Sequence, residues 1–366
     1  MPNRVIMHVD LDYFYAQCEE NQNPHVRGKP VVVCVYSGRT EESGVVSTSN
    51  YLARKYGVKA GIPIARAKKL LESSGAIFFP MNRSLYDQVS DGVMEILREH
   101  GDAFEKVGID EAYLEVSTRT NGKFDQAENI ANEIKRQILV EEQITCSIGI
   151  APNKLVAKIA SDERKPDGLT IVKPEEVKSF LSELPASRIP GVGKKVEEKL
   201  DQMQVKTIAQ LSTISPPILV ETVGKNLGGY LFQAARGEDD EPVKEREQPT
   251  QLSRIATLKR NTRDLSEMLP LLSELANAAT AKMKEKGMTC KSVAIIAILN
   301  DLSIHTKSKT LEQPTADEKT IVNAAEELMK EFLESMPSAI VRRTGVKVST
   351  LSRLSGQTDI SNFLKV

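Results

Sequence analysis

The stretch Gly108-Ile109-Asp110-Glu111-Ala112-Tyr113-Leu114 sets two adjacent carboxylates inside an otherwise apolar, β-prone run from Val107 to Val116. Adjacent residues on a regular strand point to opposite faces. Asp110 and Glu111 can therefore face one site only if the strand ends or turns there. Buried carboxylates without partners are costly, so such a pair calls for a cation. Taken alone, the stretch reads equally well as a hairpin turn bearing two solvated acids.

A second stretch tips that balance. Arg4 to Asp10 reads as a strand, with Val5, Met7 and Val9 on one face and Ile6, His8 and Asp10 on the other. It ends in Asp10-Leu11-Asp12 and runs at once into Tyr13-Phe14-Tyr15-Ala16. An acid closing an N-terminal strand, with an acid pair on a later strand, is a layout that holds divalent metal. Hard cations such as magnesium take oxygen ligands, a few carboxylates plus substrate phosphates. Three acids cannot crowd together without cations, because like charges would force some of them to protonate.

Composition bounds the rest. A chain of 366 residues holds two to four domains, each with ample core. The net charge of -1 says nothing about partners, so any basic surface is local. The four cysteines, Cys18, Cys34, Cys146 and Cys290, have neither metal-ligand spacing nor disulfide density, which points to a reducing cytoplasm and no zinc. No signal peptide precedes the first strand and no apolar run approaches membrane-spanning length, so no membrane is expected.

In chain order, a helix is expected over Tyr13–Asn21. Pro30 to Tyr36 (PVVVCVY) reads as a strand buried on both faces. Val45 to Thr48 leads into a helix capped by Thr48 or Ser49, on which Tyr51 and Arg54 share a face. Beside metal-binding acids that pair suits a triphosphate; away from them it would be a surface ion pair and a packed ring. Helices follow over Ile64–Leu71, Ser84–Glu99, Asp125–Glu141 and Asn153–Ser161, with strands over Ala76–Phe79 and Thr145–Ile150. Lys165-Pro166-Asp167-Gly168 is a turn. Mixed strands and helices with hairpins make this α+β.

From Lys173 the texture changes to short helices. Ile189-Pro190-Gly191-Val192-Gly193-Lys194-Lys195 opens a helix over Lys194–Met203. Gly191 and Gly193 allow close backbone approach to a phosphate, free N–H groups at the helix start point at it, and Lys194 and Lys195 add charge. A plain helix–helix turn would use similar residues, but the full pattern is that of a helix-hairpin-helix motif, which binds DNA without sequence preference. Gly237 to Gln248 reads as a solvated linker. Beyond it come strands over Ser253–Arg260, Ser292–Leu299 and Ala339–Val348 and helices over Leu265–Lys286 and Ile321–Leu333. Arg254, Lys259, Arg260 and Arg263, with Arg342, Arg343 and Lys347 on the last strand, could follow a phosphate backbone or form an ordinary solvated face. In the tail, Gln357, Ile360, Phe363 and Leu364 have the spacing of a one-turn helix with an apolar plug that docks in a groove.

Five of these stretches, in this order, resemble the Y-family of translesion DNA polymerases, in the pattern of archaeal DNA polymerase IV. They are Val9 to Ala16, Thr48-Ser49-Asn50-Tyr51 with Arg54-Lys55, Ile109 to Tyr113, Lys165-Pro166, and Ile189 to Gly193. The likeness runs from about residue 4 to 350. It implies a multidomain right-hand polymerase: palm over 1–12 and 82–170, fingers over 13–81, helical thumb over 171–238, linker over 239–247, a C-terminal little finger over 248–350, and a tail over 351–366 that docks on a sliding clamp. It also implies two Mg²⁺ ions held by Asp10, Asp110, Glu111 and the carbonyl of Leu11, with Glu111 nearest the primer end. Asp12, which strand alternation alone offers as a further ligand, becomes structural.

By the same resemblance Tyr15 is the steric gate against a 2′-hydroxyl. Tyr13, Tyr15, Thr48, Tyr51, Arg54 and Lys165 hold the dNTP. Val35, Val45, Ser47 and Gly61 roof the nascent base pair. The substrates are primer-template DNA and dNTPs; the expected state is a monomer, of low fidelity and without a proofreading exonuclease. Gly108 and Glu115 depart from the family's usual Ser and Asp, and the tail ends Phe363-Leu364 rather than in two aromatics. A nucleotidyl cyclase would share the acids but not the Gly191–Gly193 hairpin, and a non-catalytic DNA-binding protein would not need Asp10, Asp110, Glu111 and Tyr15 intact.

Overall fold

The computed structural model describes residues 4–245 and 249–353. The chain divides into two compact units, residues 1–34, 46–62 and 66–246 in one, and residues 35–45, 63–65 and 247–366 in the other.

The elements before residue 246 are β1 (Ile6–Leu11), α1 (Phe14–Gln22), β2 (Val31–Tyr36), β3 (Gly44–Ser49), α2 (Tyr51–Lys55), α3 (Ile64–Leu70), β4 (Ile77–Pro80), α4 (Arg83–His100), β5 (Ala103–Lys106), β6 (Glu111–Glu115), α5 (Phe124–Glu141), β7 (Cys146–Ala151), α6 (Lys154–Ser161), β8 (Leu169–Ile171), α7 (Val177–Ser182), α8 (Lys194–Gln202), α9 (Ile208–Ser212), α10 (Pro216–Val223) and α11 (Lys225–Ala234). One sheet has the order β5-β6-β1-β7-β8, with β1 antiparallel to both neighbours. The alternation along β1 explains its central place. Val5, Met7 and Val9 join a core with residues of α4 and α5, while Ile6 joins another with residues of α6 and the helices beyond it. A strand sandwiched in this way has no solvated face, so even His8 is fully buried.

Several expectations are corrected. The run from Val107 to Val116 is not one strand: residues 107–110 form the turn of a hairpin between β5 and β6. β2 is not buried throughout, since Val35 and Tyr36 at its end are exposed. The cap of α2 is neither Thr48 nor Ser49 but Asn50, whose side chain accepts the Ala53 N–H at 2.9 Å. β8, three residues long, was hidden by its shortness. The charged segment after Gly237 is not a solvated linker over its described part. Val243 is buried, the Asp239 carboxylate accepts the Leu155 N–H at 2.9 Å, and Arg4 donates to the Glu241 carbonyl.

The second unit adds β9 (Gln251–Thr262), α12 (Leu265–Glu285), β10 (Met288–Leu299), β11 (Ile304–Thr315), α13 (Glu318–Ser335) and β12 (Val341–Arg353). Its antiparallel sheet has the order β11-β10-β12-β9, and residues of both helices share the core that covers one face. β11 was not expected because it is an edge strand of polar composition, with none of its residues buried. Edge strands carry charge and Pro for that position, here Lys307, Lys309 and Pro314.

Candidate active site

The acids stand where the chain turns. Glu111 opens β6 and pairs with Asp10 on β1, while Asp110 ends the hairpin turn and its carbonyl accepts the Leu11 N–H at 2.9 Å. The Val107 and Gly108 N–H groups both donate to the Glu111 carbonyl at 3.1 Å, and Ser90 of α4 donates to the Ile109 carbonyl at 2.5 Å. This meets the condition under which neighbouring carboxylates can serve one site. Gly108 lies in the turn rather than loosening a strand. A Cβ there would sit 3.2 Å from Glu111 Cγ and 3.3 Å from Asp110 Oδ1, so a side chain would press on both acids.

Burial pushes the carboxyls of Asp10 and Asp110 above the ordinary range, an effect that Lys165 partly offsets at Asp10. The Lys165 ammonium lies 2.6 Å from Asp10 Oδ1 and 2.8 Å from Asp162 Oδ1. Burial alone would lower its pKa, but these carboxylates raise it. Glu111 goes the other way. A hydrogen bond with His8, 3.3 Å from Oε2, and the Lys158 ammonium on the same oxygen bring it down to about 2. Among the described residues no three His, Cys, Asp or Glu side chains are drawn into a ready-made metal cluster. Instead Asp10 and Glu111 each turn an oxygen onto a lysine. The donor chemistry fits a hard divalent cation: carboxylate oxygens, those of Asp10 and Asp110 on groups whose negative charge burial disfavours.

Asp12 is not part of this set. It is buried, Oδ1 accepts from the Ser147 hydroxyl at 2.7 Å, and Oδ2 accepts from the Thr145 hydroxyl and the Asp167 N–H, both at 2.8 Å. Both oxygens are thus engaged, and Oδ2 helps hold the turn that carries Lys165. Lys135 of α5 braces the same turn, donating to the carbonyls of Asp167 at 2.6 Å and Cys146 at 3.0 Å.

The residues expected to meet a triphosphate lie close by in chain and space. Tyr13, in the left-handed region at φ 36°, starts α1 and meets Tyr51 edge-on at 5.3 Å. The Arg54 guanidinium lies over the Tyr51 ring at 4.7 Å and donates to the Ser49 carbonyl at 3.0 Å. Thr48 and Arg54 line one cleft together with Gly57, Lys59 and Ala60. Asn50 is the hub that sequence reading passed over. Besides capping α2 it accepts the Val31 N–H at 3.1 Å and donates to Glu20 Oε1 at 2.7 Å and the Lys29 carbonyl at 2.8 Å. Tyr15 stacks on Tyr86, ring centroids 4.4 Å apart and 16° from parallel, and the buried Tyr86 hydroxyl donates to Glu19 Oε1 at 2.6 Å.

The glycine hairpin has the geometry its pattern requires. Gly191 adopts φ 92°, a conformation costly for other residues, and Gly193 is the N-cap of α8. Ile189 and Val192 are buried, whereas Gly191, Gly193, Lys194 and Lys195 are exposed. The hairpin lines a cleft together with Lys158, Asp162 and Arg188 of the same unit.

Comparison with known proteins now decides the family. Residues 9–162 match the impB/mucB/samB family, residues 249–361 its C-terminal domain, and residues 187–239 the thumb domain of DNA polymerase-iota. The DNA polymerase IV of Nitrosopumilus maritimus is 46% identical over 99% of this chain and 100% of its own length. That of Methanosarcina acetivorans is 43% identical, again over 99% and 100%. A solved Y-family DNA polymerase chimera, Dbh-Dpo4(243-245)-Dbh, superposes with a TM-score of 0.90 at 39% identity, covering 95% of this chain and 99% of that one. The chain belongs to the Y-family of DNA polymerases. An insertion ternary complex of Dbh DNA polymerase, also 39% identical, matches with a TM-score of 0.69 over 94% and 98% of the two chains. The polymerase is a metal-dependent nucleotidyltransferase that carries out template-directed translesion DNA synthesis, and the cyclase and non-catalytic readings are set aside.

The polymerase's basic residues do not all serve alike. On the four-stranded sheet Arg343 pairs with Ile298 and Thr257, and Lys347 with Ala294 and Ser253, so both stand on the face away from the helices. Arg254 pairs with Val346, a core residue, and Lys259 is exposed. Arg260 is taken up by Glu267, and Arg263 donates to the Leu333 and Met336 carbonyls at the end of α13, 2.6 and 2.7 Å away. Those two are therefore engaged within their own unit. Arg342 is half-buried at a β-bulge. Val35 and Val45 are exposed and Ser47 is half-buried; Gly61, at φ 88°, donates its N–H to the Val46 carbonyl at 2.9 Å. Gln357, Ile360, Phe363 and Leu364 lie outside the described residues. Among the described residues no helix is long and apolar enough to cross a membrane.

Proposed function

We propose that the polymerase extends a primer 3′ end on a DNA template with dNTPs, using Asp10, Asp110, Glu111 and the Leu11 carbonyl as ligands for two Mg²⁺ ions. The observation that carries this reading is the pairing of Asp10 with Glu111 across β1 and β6, at the point where the chain turns at Asp110. Bound there, the metal would lower the pKa of the attacking hydroxyl and neutralise charge on the leaving oxygens. The protein's own groups position and balance charge. Lys165, whose ammonium lies on Asp10, would balance charge on the triphosphate, and Arg54 with Tyr51 and Thr48 would form its other wall. Tyr13 and Tyr15 lie under the sugar, and the Tyr86 stack fixes the Tyr15 ring as the gate. Glu111, kept ionised by His8 and Lys158, is the acid nearest the primer.

The domain reading follows: palm over 1–12 and 82–170, fingers over 13–81, thumb over 171–238, little finger over 248–350. The matched thumb segment at 187–239 and the C-terminal match at 249–361 support it. Gly191, Gly193, Lys194 and Lys195 would hold the DNA backbone through N–H groups and charge. Lys259, Arg342, Arg343 and Lys347 would add to that grip, whereas Arg254 shares the helix-covered face with Val346. A roof of Val35, Val45, Ser47 and Gly61 would touch the nascent pair lightly, which favours tolerance of damaged templates at low fidelity. The tail would dock on a sliding clamp, and the enzyme would work as a cytoplasmic monomer.

Primer extension tests the core of this. Asp110→Ala and Glu111→Ala should each cut extension by ~10³-fold or more while leaving DNA binding intact. Retained synthesis in either variant would refute the assignment.

A further inference from the structure

His8 stands two residues before Asp10 on β1, fully buried, with its ring tilted against Tyr113 at 4.7 Å. Neither ring nitrogen is idle. Nε2 lies 3.3 Å from Glu111 Oε2 and Nδ1 lies 2.8 Å from the Ser161 hydroxyl oxygen. Ser161 and Lys158 reach the ring from α6, one turn apart. They come so near because Gly149, opposite His8 on β7, has no side chain. A Cβ at Gly149 would fall 2.0 Å from the Ala157 carbonyl oxygen and 2.4 Å from the Ser161 nitrogen.

Nε2 faces a Glu111 carboxylate oxygen at 3.3 Å, where a protonated nitrogen is favoured over a lone pair. Nδ1 faces the Ser161 hydroxyl at 2.8 Å, whose single proton is shared between Nδ1 and the Lys158 carbonyl oxygen, also 2.8 Å away, so Ser161 ties the ring to the backbone of α6. The Lys158 ammonium rests on the same Oε2 and lies 3.5 Å from Nε2. We infer that Ser161, His8 and Lys158 form a clamp that fixes Oε2 of Glu111 and leaves Oε1 as the oxygen available to the reaction centre. His8 and Lys158 are then positioning residues for a catalytic acid. A histidine buried for packing alone would not spend one nitrogen on an active-site carboxylate and the other on a neighbouring helix. The inference rests on the reading of Glu111 as one of the catalytic acids.

The test uses the full chain with His8→Leu, His8→Gln and Ser161→Ala. The Gln amide can bring an N–H near the Nε2 position, whereas Leu fills space and donates nothing. In His8→Leu the single-turnover incorporation rate at saturating dNTP should fall ~10–100-fold, with Mn²⁺ affinity by electron paramagnetic resonance weakened in step and DNA affinity unchanged within about twofold. His8→Gln should recover most of both losses, and Ser161→Ala should show a smaller fall in rate. Melting temperatures establish that each variant is folded. A His8→Leu enzyme with the wild-type rate and Mn²⁺ affinity overturns the clamp, as does an equal loss in the Leu and Gln variants at matched melting temperature. If His8→Leu does not fold, Ser161→Ala decides, an unchanged rate counting against the clamp. Glu111→Ala is run beside them. Should it keep extending primers, the reading of Glu111 fails, and the clamp with it.

Discussion

At the scale of single residues the chemistry is governed by which groups neutralise which carboxylates. Asp10, Asp110 and Glu111 are neighbours, yet burial raises the first two while His8 and Lys158 hold the third at about 2. A carboxyl lowered in the folded state contributes stability that is present above its unfolded value and lost as pH falls through the folded one. Glu111→Gln should therefore lower the melting temperature of the metal-free polymerase most above pH 4.5, with the difference shrinking as pH drops toward 2, as melting curves across that range would reveal. As the proposed gate, Tyr15 would act by shape rather than charge, its ring stacked on Tyr86. Tyr15→Ala should raise ribonucleotide incorporation relative to dNTP by roughly a hundredfold in kcat/KM, the scale of a steric contact made or lost. Continued rejection of ribonucleotides would move the gate elsewhere. Asp12 carries a related lesson. Its carboxylate looks like a ligand in the sequence, but hydroxyls of Thr145 and Ser147 and the Asp167 N–H already fill its oxygens.

At the scale of elements, short pieces are held by side chains that reach across sequence. α2 has only five residues, too few to be stable alone, and it carries Tyr51 and Arg54. Asn50 makes it possible by capping it and tying it to the Val31 N–H and the Lys29 carbonyl. Asn50→Ala would lose a cap and leave a buried N–H unpaired, together roughly 2–4 kcal/mol. The expected outcome is a lower melting temperature and a KM for dNTP that rises more than kcat falls; steady-state kinetics with an unchanged KM would contradict this role. The amphipathic helices α4, α5, α12 and α13 were legible because each repeats its apolar residues at helical spacing. β8 and β11 were not, one being three residues long and the other a polar edge strand held by pairing with β10 and by ion pairs from Lys307 and Lys309 to α13.

At the scale of the whole molecule, catalysis and clamp docking should separate. The tail beyond Arg353 includes Gln357, Ile360, Phe363 and Leu364 but none of the residues proposed for catalysis. A chain truncated after Arg353 should extend short primer-templates at the full-length rate but lose stimulation by a sliding clamp; equal stimulation of both forms would place clamp docking elsewhere. What the sequence by itself offered is a set of candidates: the acids, the Tyr51–Arg54 pair, the glycine hairpin, and an α+β chain with a helical middle, while Tyr15 came from the family resemblance. Local pattern suffices there, because alternation, helical spacing and turn chemistry are written within a few residues of one another. Only the tertiary structure decided that the acid pair sits on a turn, that Asp12 is spent, that Arg260 and Arg263 are engaged, and that His8 and Lys158 converge on Glu111. Those outcomes depend on partners up to 155 residues apart, as between Asp12 and Asp167. A buried polar group takes whichever partner the packed fold brings within reach, and spacing along the chain does not encode that.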